Sequence, residues 1–172
     1  ASGRAFHAPF FNESMESFLE GHQRAFDRFG GVPRRIRYDN LKTAVAAVLL
    51  GRQRVENQRF ITFRSHYGFE TFYCMPGLEG AHEKGGVEGE IGRFRRRHLV
   101  PVPEVRSFQA LSSIFTRADE TDDGRRIAGR SATVGEDSAR EAPFLLPLPS
   151  EPFDIATHLQ VRVDRKSRVC VR

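Results

Sequence analysis

Tryptophan is absent from this 172-residue chain and cysteine is scarce: the two cysteines, Cys74 and Cys170, stand far apart in apolar stretches. That excludes a disulfide framework and fits thiols in a reducing compartment. No apolar run approaches the ~18 residues of a membrane-spanning helix, and Ala1 to Phe11 lacks a signal-peptide pattern, so no membrane is expected among the partners. His7, His22, His66, His82, His98 and His158 have no ligand spacing with one another or with the cysteines, which argues against a zinc site. Lys84-Gly85-Gly86 lacks the residue order of a phosphate-binding P-loop. Ser65-His66 lacks the strand-turn-helix elbow of a serine hydrolase.

What is present is an excess of positive charge, 27 Lys and Arg against 22 Asp and Glu, for a net +5. The excess favours a polyanionic partner. Its placement is more informative, because Arg34, Arg35 and Arg37 form one cluster and Arg93, Arg95, Arg96 and Arg97 another. Either cluster alone reads equally well as a solvated face. Both lie beside candidate site residues, which points to phosphate contacts.

The pattern along the chain is α/β. Ala1 to Phe11 reads as a strand, and Asn12 as the N-cap of a helix in which Met15, Phe18, Leu19, His22, Ala25, Phe26 and Phe29 recur every three or four residues. Gly30-Gly31 stops that helix, and Val32 to Tyr38 alternates as a strand. A short helix is expected from Lys42 to Leu50 and a second from near Asn57, with Phe60, Ile61, Arg64 and Tyr67 on one side. Phe69 to Met75 reads as a strand ended by Pro76-Gly77, and Glu83 to His98 as a helix whose buried stripe is Val87, Ile91 and Phe94. Ser107 caps a further helix to Arg117, and order is weakly specified from Asp119 to Ala142. Pro143 to Pro152, with four prolines, reads as an extended linker. From His158 to Arg172, alternating Leu159, Val161, Val163, Val169 and Val171 suggest two strands around a turn at Asp164–Arg168. Two strands alone are marginal, so a small β module is expected to begin here. The expected division is 1–106 as one layered domain, 107–150 as a helical segment and linker, and 151–172 as the start of that module.

Two carboxylates stand out as metal-ligand candidates. Carboxylates crowded at one site repel by roughly 4 kcal/mol per pair at about 4 Å and an effective dielectric of about 20, and a divalent ion relieves that repulsion. Asp39 follows Ile36 and Tyr38 at the carboxyl edge of a strand, where open α/β sheets bind ligands. It could equally turn the chain and cap the next helix. Glu88 borders the apolar stripe of its helix, with Gly85, Gly92, Arg95 and Arg96 on its other side. It could equally be a surface glutamate paired with Lys84, Arg95 or Arg96, and spacing alone leaves Glu83 and Glu90 equal to it.

Three segments carry a family resemblance: Arg37-Tyr38-Asp39-Asn40-Leu41, Arg64-Ser65-His66-Tyr67-Gly68-Phe69-Glu70, and His82-Glu83-Lys84-Gly85-Gly86-Val87-Glu88 with the arginine-rich run behind it. From Gly3 through Pro103 the chain resembles the integrase-type catalytic domain of the IstA-like insertion-sequence transposases, and the stretch from Phe144 resembles the start of their C-terminal domain. The resemblance implies an RNase H-like mixed sheet flanked by helices, followed by a helical linker segment and a small β-barrel. It makes Asp39 and Glu88 the second and third members of an Asp-Asp-Glu triad that holds Mg²⁺ or Mn²⁺. The cations beside these two acids, Lys84, Arg93, Arg95, Arg96, Arg97, Arg37 and Lys42, are the expected DNA contacts. The implied partners are the terminal inverted repeats of an element, target DNA, an ATPase helper protein and further copies of the chain, in a bacterial cytoplasm.

The family's first aspartate belongs to a strand before those seen here. Asp27, the sole aspartate upstream of Asp39, lies on an amphipathic helix and is no substitute. The chain is therefore expected to be truncated at both ends. Two functions stay open: cutting and joining the DNA of an insertion element by metal-dependent phosphoryl transfer, or a catalytically inactive DNA-binding or inhibitory remnant.

Overall fold

Ser14 opens the first helix by accepting the Ser17 N–H on its Oγ at 3.2 Å, and Gly30, with φ of 73°, closes it in the left-handed conformation that a side chain disfavours. Between them α1 (Met15–Phe29) buries Leu19 and Phe26 and lays Met15 and Phe18 against the same core. The cap is Ser14 rather than the expected Asn12. Asn12 Oδ1 accepts the Ser14 N–H at 3.1 Å and the Ser17 hydroxyl at 2.8 Å, so it braces the capping residues from outside the helix.

The computed structural model describes residues 2–38, 45–48, 54–74, 81–157, 161, 163 and 165–169, with backbone alone for 45–48, 54 and 81–88. After α1 come β1 (Arg35–Tyr38), β2 (Val45–Val48), β3 (Arg54–Glu56), α2 (Gln58–Tyr67), β4 (Glu70–Tyr73), α3 (Ala81–His98), α4 (Phe108–Asp122) and α5 (Val134–Glu141). β1 and β4 pair in parallel, Arg35 opposite Glu70 through Tyr38 opposite Tyr73. Their connection crosses over through α2, as parallel neighbours require. α2 starts near Asn57 as expected, and Asn57 caps it, its Oδ1 accepting the Arg59 N–H at 2.9 Å. The buried side of α2 is Phe60, Phe63 and Tyr67, with Ile61 only partly covered. These three meet Leu19, Phe26, Val32, Tyr38, Phe69 and Tyr73 in one aromatic-rich core. Burial of each large side chain there contributes about 1.5–3 kcal/mol.

Several expected elements differ. Helix was expected over Lys42 to Leu50, yet Val45–Val48 is a strand, paired antiparallel with β3 and carrying a bulge between Val45 and Ala47. Branched Val45 and Val48 suit a strand, and β3 supplies the ladder partner that local reading could not see. Residues 2–10 form no strand. Their backbone is held by side chains instead, the His7 N–H donating to Asp119 Oδ2 at 2.8 Å. Weak order was read beyond Asp119, but α4 continues to Asp122 and α5 follows. α5 opens on a capping box in which Glu136 N–H donates to Thr133 Oγ1 at 3.2 Å and Thr133 N–H to Glu136 Oε2 at 2.7 Å.

The proline-rich run returns to the core. After a 3-10 turn at Ala142–Phe144, Val32 and Leu146 exchange backbone hydrogen bonds of 2.9 and 2.8 Å, and Leu146, Phe153 and Ile155 pack on the core cluster. Gly31 makes this approach possible, because a Cβ there would lie 2.8 Å from Leu145 Cβ and 2.9 Å from the Leu146 carbonyl oxygen. Among the described residues of 158–172 there is a turn at Arg165-Lys166 but no strand, and Val161, Val163 and Val169 are exposed. Val171 and Cys170 lie outside the described residues.

A charge network joins the helices to the N-terminal segment. Asp122 accepts two bonds of 2.9 Å from the Arg93 guanidinium on α3 and further bonds at 3.0 and 3.1 Å from Arg125 Nε. Asp123 takes Arg4 at 3.0 and 3.1 Å and Arg28 of α1 at 2.7 Å. The His7 ring donates from Nδ1 to Asp119 at 2.6 Å and stacks on Phe94 with centroids 3.8 Å apart. Removing one partner of a fully buried pair costs about 3–5 kcal/mol. Arg93 and Arg125 keep 25% and 22% side-chain exposure, so water screens part of the loss. Asp122→Ala is expected to destabilise the fold by about 2–3 kcal/mol in urea unfolding. A loss below about 0.5 kcal/mol, the range of ordinary surface changes, would show that the network contributes little.

Candidate functional site

The parallel strands β1 and β4 end side by side, and their ends are fixed by backbone and side chain alike. The Cys74 N–H donates to the Tyr38 carbonyl at 3.0 Å, which pins the peptide leading into Asp39. Tyr38 and Tyr73, the last residues of the two strands, are cross-strand partners with ring centroids 6.0 Å apart. Tyr73 donates its hydroxyl to Glu56 Oε1 at 2.7 Å; the same oxygen accepts from Thr71 at 2.8 Å, and Oε2 accepts Arg64 Nε at 2.9 Å. Glu56 thus ties the end of β3 to the end of β4 and to α2.

Tyr38 is fixed from the other side. The Phe18 carbonyl lies 2.8 Å from His22 Nδ1 and can only accept, so Nδ1 carries the proton. Nε2 is then the acceptor for the Tyr38 hydroxyl, at 2.8 Å. Burial pushes the His22 pKa down, and the imidazole stays neutral as this tautomer requires. Burial also pushes the Tyr38 and Tyr73 hydroxyls well above their ordinary range, with each other's charge and that of Glu56 adding for Tyr38 and Glu56 adding for Tyr73. Both phenols remain protonated donors.

Asp39, Asn40 and Lys42 lie outside the described residues, as do the side chains of Lys84 and Glu88. The helical backbone of α3 still sorts its residues by face. Phe94 is buried against His7, Phe115 and His98, and Arg93 faces α4 through Asp122. Glu90 is bound to Arg93 and lies near Arg125, and these cations hold its pKa down. Glu90, which spacing left equal to Glu88, is engaged by Arg93. The expected apolar stripe is also turned: Ile91 is 41% exposed, because α3 meets α4 through Glu90, Arg93 and Phe94.

The predicted cations divide accordingly. Arg93 is engaged by Glu90 and Asp122, while Arg95, Arg96 and Arg97 are exposed on the last turns of α3. Arg37 is exposed with its guanidinium 5.3 Å from the Phe72 ring centroid. Arg35 pairs with Glu70 at 2.9 Å, and Arg34 donates to the Phe144 carbonyl at 3.3 Å. Among the described residues no group of three or more His, Cys, Asp or Glu could hold a metal ion, and no helix is long and apolar enough to cross a membrane. Asp27 is exposed on α1. Sequence reading missed His22, Glu56 and the aspartates that close α4, Asp119, Asp122 and Asp123. His22 carried a signal, a lone imidazole on the apolar face of α1 that needed a buried polar partner; Glu56 carried none.

His22 gives the site region a pH dependence of definite sign. Its pKa lies below the ordinary 6.5 in the folded chain. Its contribution is complete above 6.5 and is lost as pH falls from 6.5 toward the depressed folded value. His98 acts in the same direction, lowered first by burial and then by Arg97 and Arg93. The unfolding midpoint is expected to drop between about pH 7 and about pH 5, and less steeply in His22→Gln. A midpoint difference between the two proteins that is constant over this range would remove His22 from the effect.

Homology carries the assignment further. No protein-family profile matches the chain. It is 35% identical over 143 residues to a transposase of Aminobacter aminovorans, covering 83% of this chain and 28% of that protein. It is 37% identical over 103 residues to the Pseudomonas aeruginosa transposase for insertion sequences IS1326/IS1353, covering 60% and 20%. The transposase for insertion sequence element IS21 of Pseudomonas aeruginosa is 30% identical over 155 residues, covering 88% and 38%. The chain thus spans between 20% and 38% of the length of these relatives. Over the span it shares with them, the chain belongs to the insertion-sequence transposase family, IS21-type transposases included.

Proposed function

We propose that residues 1–106 form part of the catalytic core of an insertion-sequence transposase, an RNase H-like mixed sheet flanked by helices that cuts and joins DNA strands by phosphoryl transfer. The observation that carries the reading is the pinned end of β1: the Tyr38 carbonyl is hydrogen-bonded to Cys74, and the next residue is Asp39. That edge of a parallel pair is where α/β sheets bind ligands. Asp39 and Glu88 supply hard oxygen donors, which suit Mg²⁺ or Mn²⁺. A divalent ion bound there would neutralise phosphate charge and activate a hydroxyl. The chain's own contribution is to fix one carboxylate after a strand end held by His22 and Glu56, and the other on a helix anchored by Arg93. Arg95, Arg96 and Arg97 hold DNA phosphates, and Lys84, Arg37 and Lys42 are the further cations of this reading. Arg93 serves as an anchor. The intact protein would act on the terminal inverted repeats of its element and on target DNA, as an oligomer, with an ATPase helper. Residues 107–150 would then connect this core to a C-terminal β module beginning at 151.

One observation favours a second reading for residues 1–172 alone. They contain two of the three acids that the resemblance implies, with Asp27 exposed on the outside of α1, which suits DNA binding without strand joining.

Two measurements test the DNA interface and the metal site. DNA affinity is expected to fall with salt, and Arg95→Ala with Arg96→Ala should reduce the slope of log K against log salt by about 2. An unchanged slope would take the arginine run out of the interface. Mn²⁺ titration, followed by loss of the free-ion electron paramagnetic resonance signal, should show weak binding that Asp39→Asn and Glu88→Gln each reduce several-fold. Binding untouched by both substitutions would refute the metal assignment and leave the second reading.

A further inference from the structure

The connection from α3 to α4 exposes apolar side chains that the fold does not use. Val100 is 68% exposed, Val102 82% and Val105 38%, along residues 99–106, which form neither helix nor strand. Pro101 and Pro103 alternate with the valines and restrict the backbone. At the far end of this loop Phe11, 84% exposed, stacks on Phe108 with centroids 4.0 Å apart. Scattered exposed apolar residues are ordinary, but a contiguous row on a stiff loop marks a binding surface.

Charge decides the occupant. Exposed Arg95, Arg96 and Arg97 immediately precede the row and exposed Arg106 follows it, against a single acid, Glu104. Two copies of the chain meeting here would oppose four arginines to four arginines. A nucleic acid instead offers phosphates to the arginines. Its bases present apolar faces only where they are unpaired or unstacked, and short apolar wedges pack on such faces. Resting on the DNA-binding reading above, we infer that residues 99–106, with Phe11, form a wedge that packs on unpaired bases at a DNA end while the arginines at the close of α3 hold the backbone.

The test is fluorescence-anisotropy binding of the full chain to one short duplex, prepared either blunt or with a few unpaired nucleotides at one end. The chain should prefer the forked duplex. Val100→Ser with Val102→Ser should abolish that preference through an affinity loss of about tenfold on the forked duplex, with little change on the blunt one. Both positions are exposed, so folding is not at stake, and an unchanged circular dichroism melt confirms it. Equal losses on both duplexes, or none on either, would overturn the wedge and leave DNA binding intact. Reduced self-association of the double variant in sedimentation, with forked-duplex binding unchanged, would assign the loop to a protein interface and also overturn it. Failure of the parent chain to bind either duplex would instead overturn the DNA-binding reading on which the wedge rests.

Discussion

Three aspartates at the carboxyl end of one helix set the terms on which this chain folds. Asp119, Asp122 and Asp123 sit where the α4 dipole is already negative, the least favourable end for a carboxylate. Asp119 and Asp122 are also buried, at 4% and 8% exposure. Such a cluster is tolerable only if cations and hydrogen-bond donors reach it, and they come from four parts of the chain: Arg4 and His7 before α1, Arg28 at the end of α1, Arg93 on α3, and Arg125 beyond α4. Segments far apart in sequence are thereby drawn to one point. The N-terminal residues need no strand partner because their attachments are to these acids.

A second constraint lies just beyond the end of α1. Gly30 reverses the chain and Gly31 leaves room for Leu145 and Leu146 to return against Val32. Through that contact the proline-rich run becomes part of the core, with Gln23 Nε2 donating to the Phe153 carbonyl at 2.7 Å and to the Tyr67 hydroxyl at 3.1 Å. Composition marked this stretch as extended, which it is at Leu145. Composition could not show that an extended backbone would be recruited by a glycine more than a hundred positions earlier.

What sequence made legible followed from local chemistry. α1 and α2 declared themselves by apolar spacing, α1 also by the glycines that end it, β1 by alternation and β4 by its run of aromatic residues. The errors fell where a distant partner decides. Val45–Val48 became a strand because β3 was there to pair, and Phe6, His7 and Ala8 alternated without forming one because α3 and α4 took the ring and backbone N–H of His7 instead. Of the candidate site, the strand end before Asp39 was legible as a strand end. Its supports were not, since the His22–Tyr38 and Glu56–Tyr73 bonds join residues brought together only by the fold. The α5 start was legible in principle, because Thr133 and Glu136 stand at capping-box spacing.

The arginine run of α3 shows why a cluster in sequence is not a surface in space. Successive residues turn by about 100°, so Arg93 and Arg95 cannot face the same partner. Arg93 goes to Asp122 and Glu90, and Arg95 and Arg96 go to solvent. The internal pairing also shapes the outer face. Screening lengths near 8–10 Å at ordinary salt exceed the radius of a helix backbone, so unpaired carboxylates of α4 would weaken the attraction of the exposed arginines for phosphate. By neutralising those acids, Arg93, Arg125, Arg28 and Arg4 let the far side of α3 present its positive charge undiminished. One network therefore holds α3 in place and keeps its outward face basic.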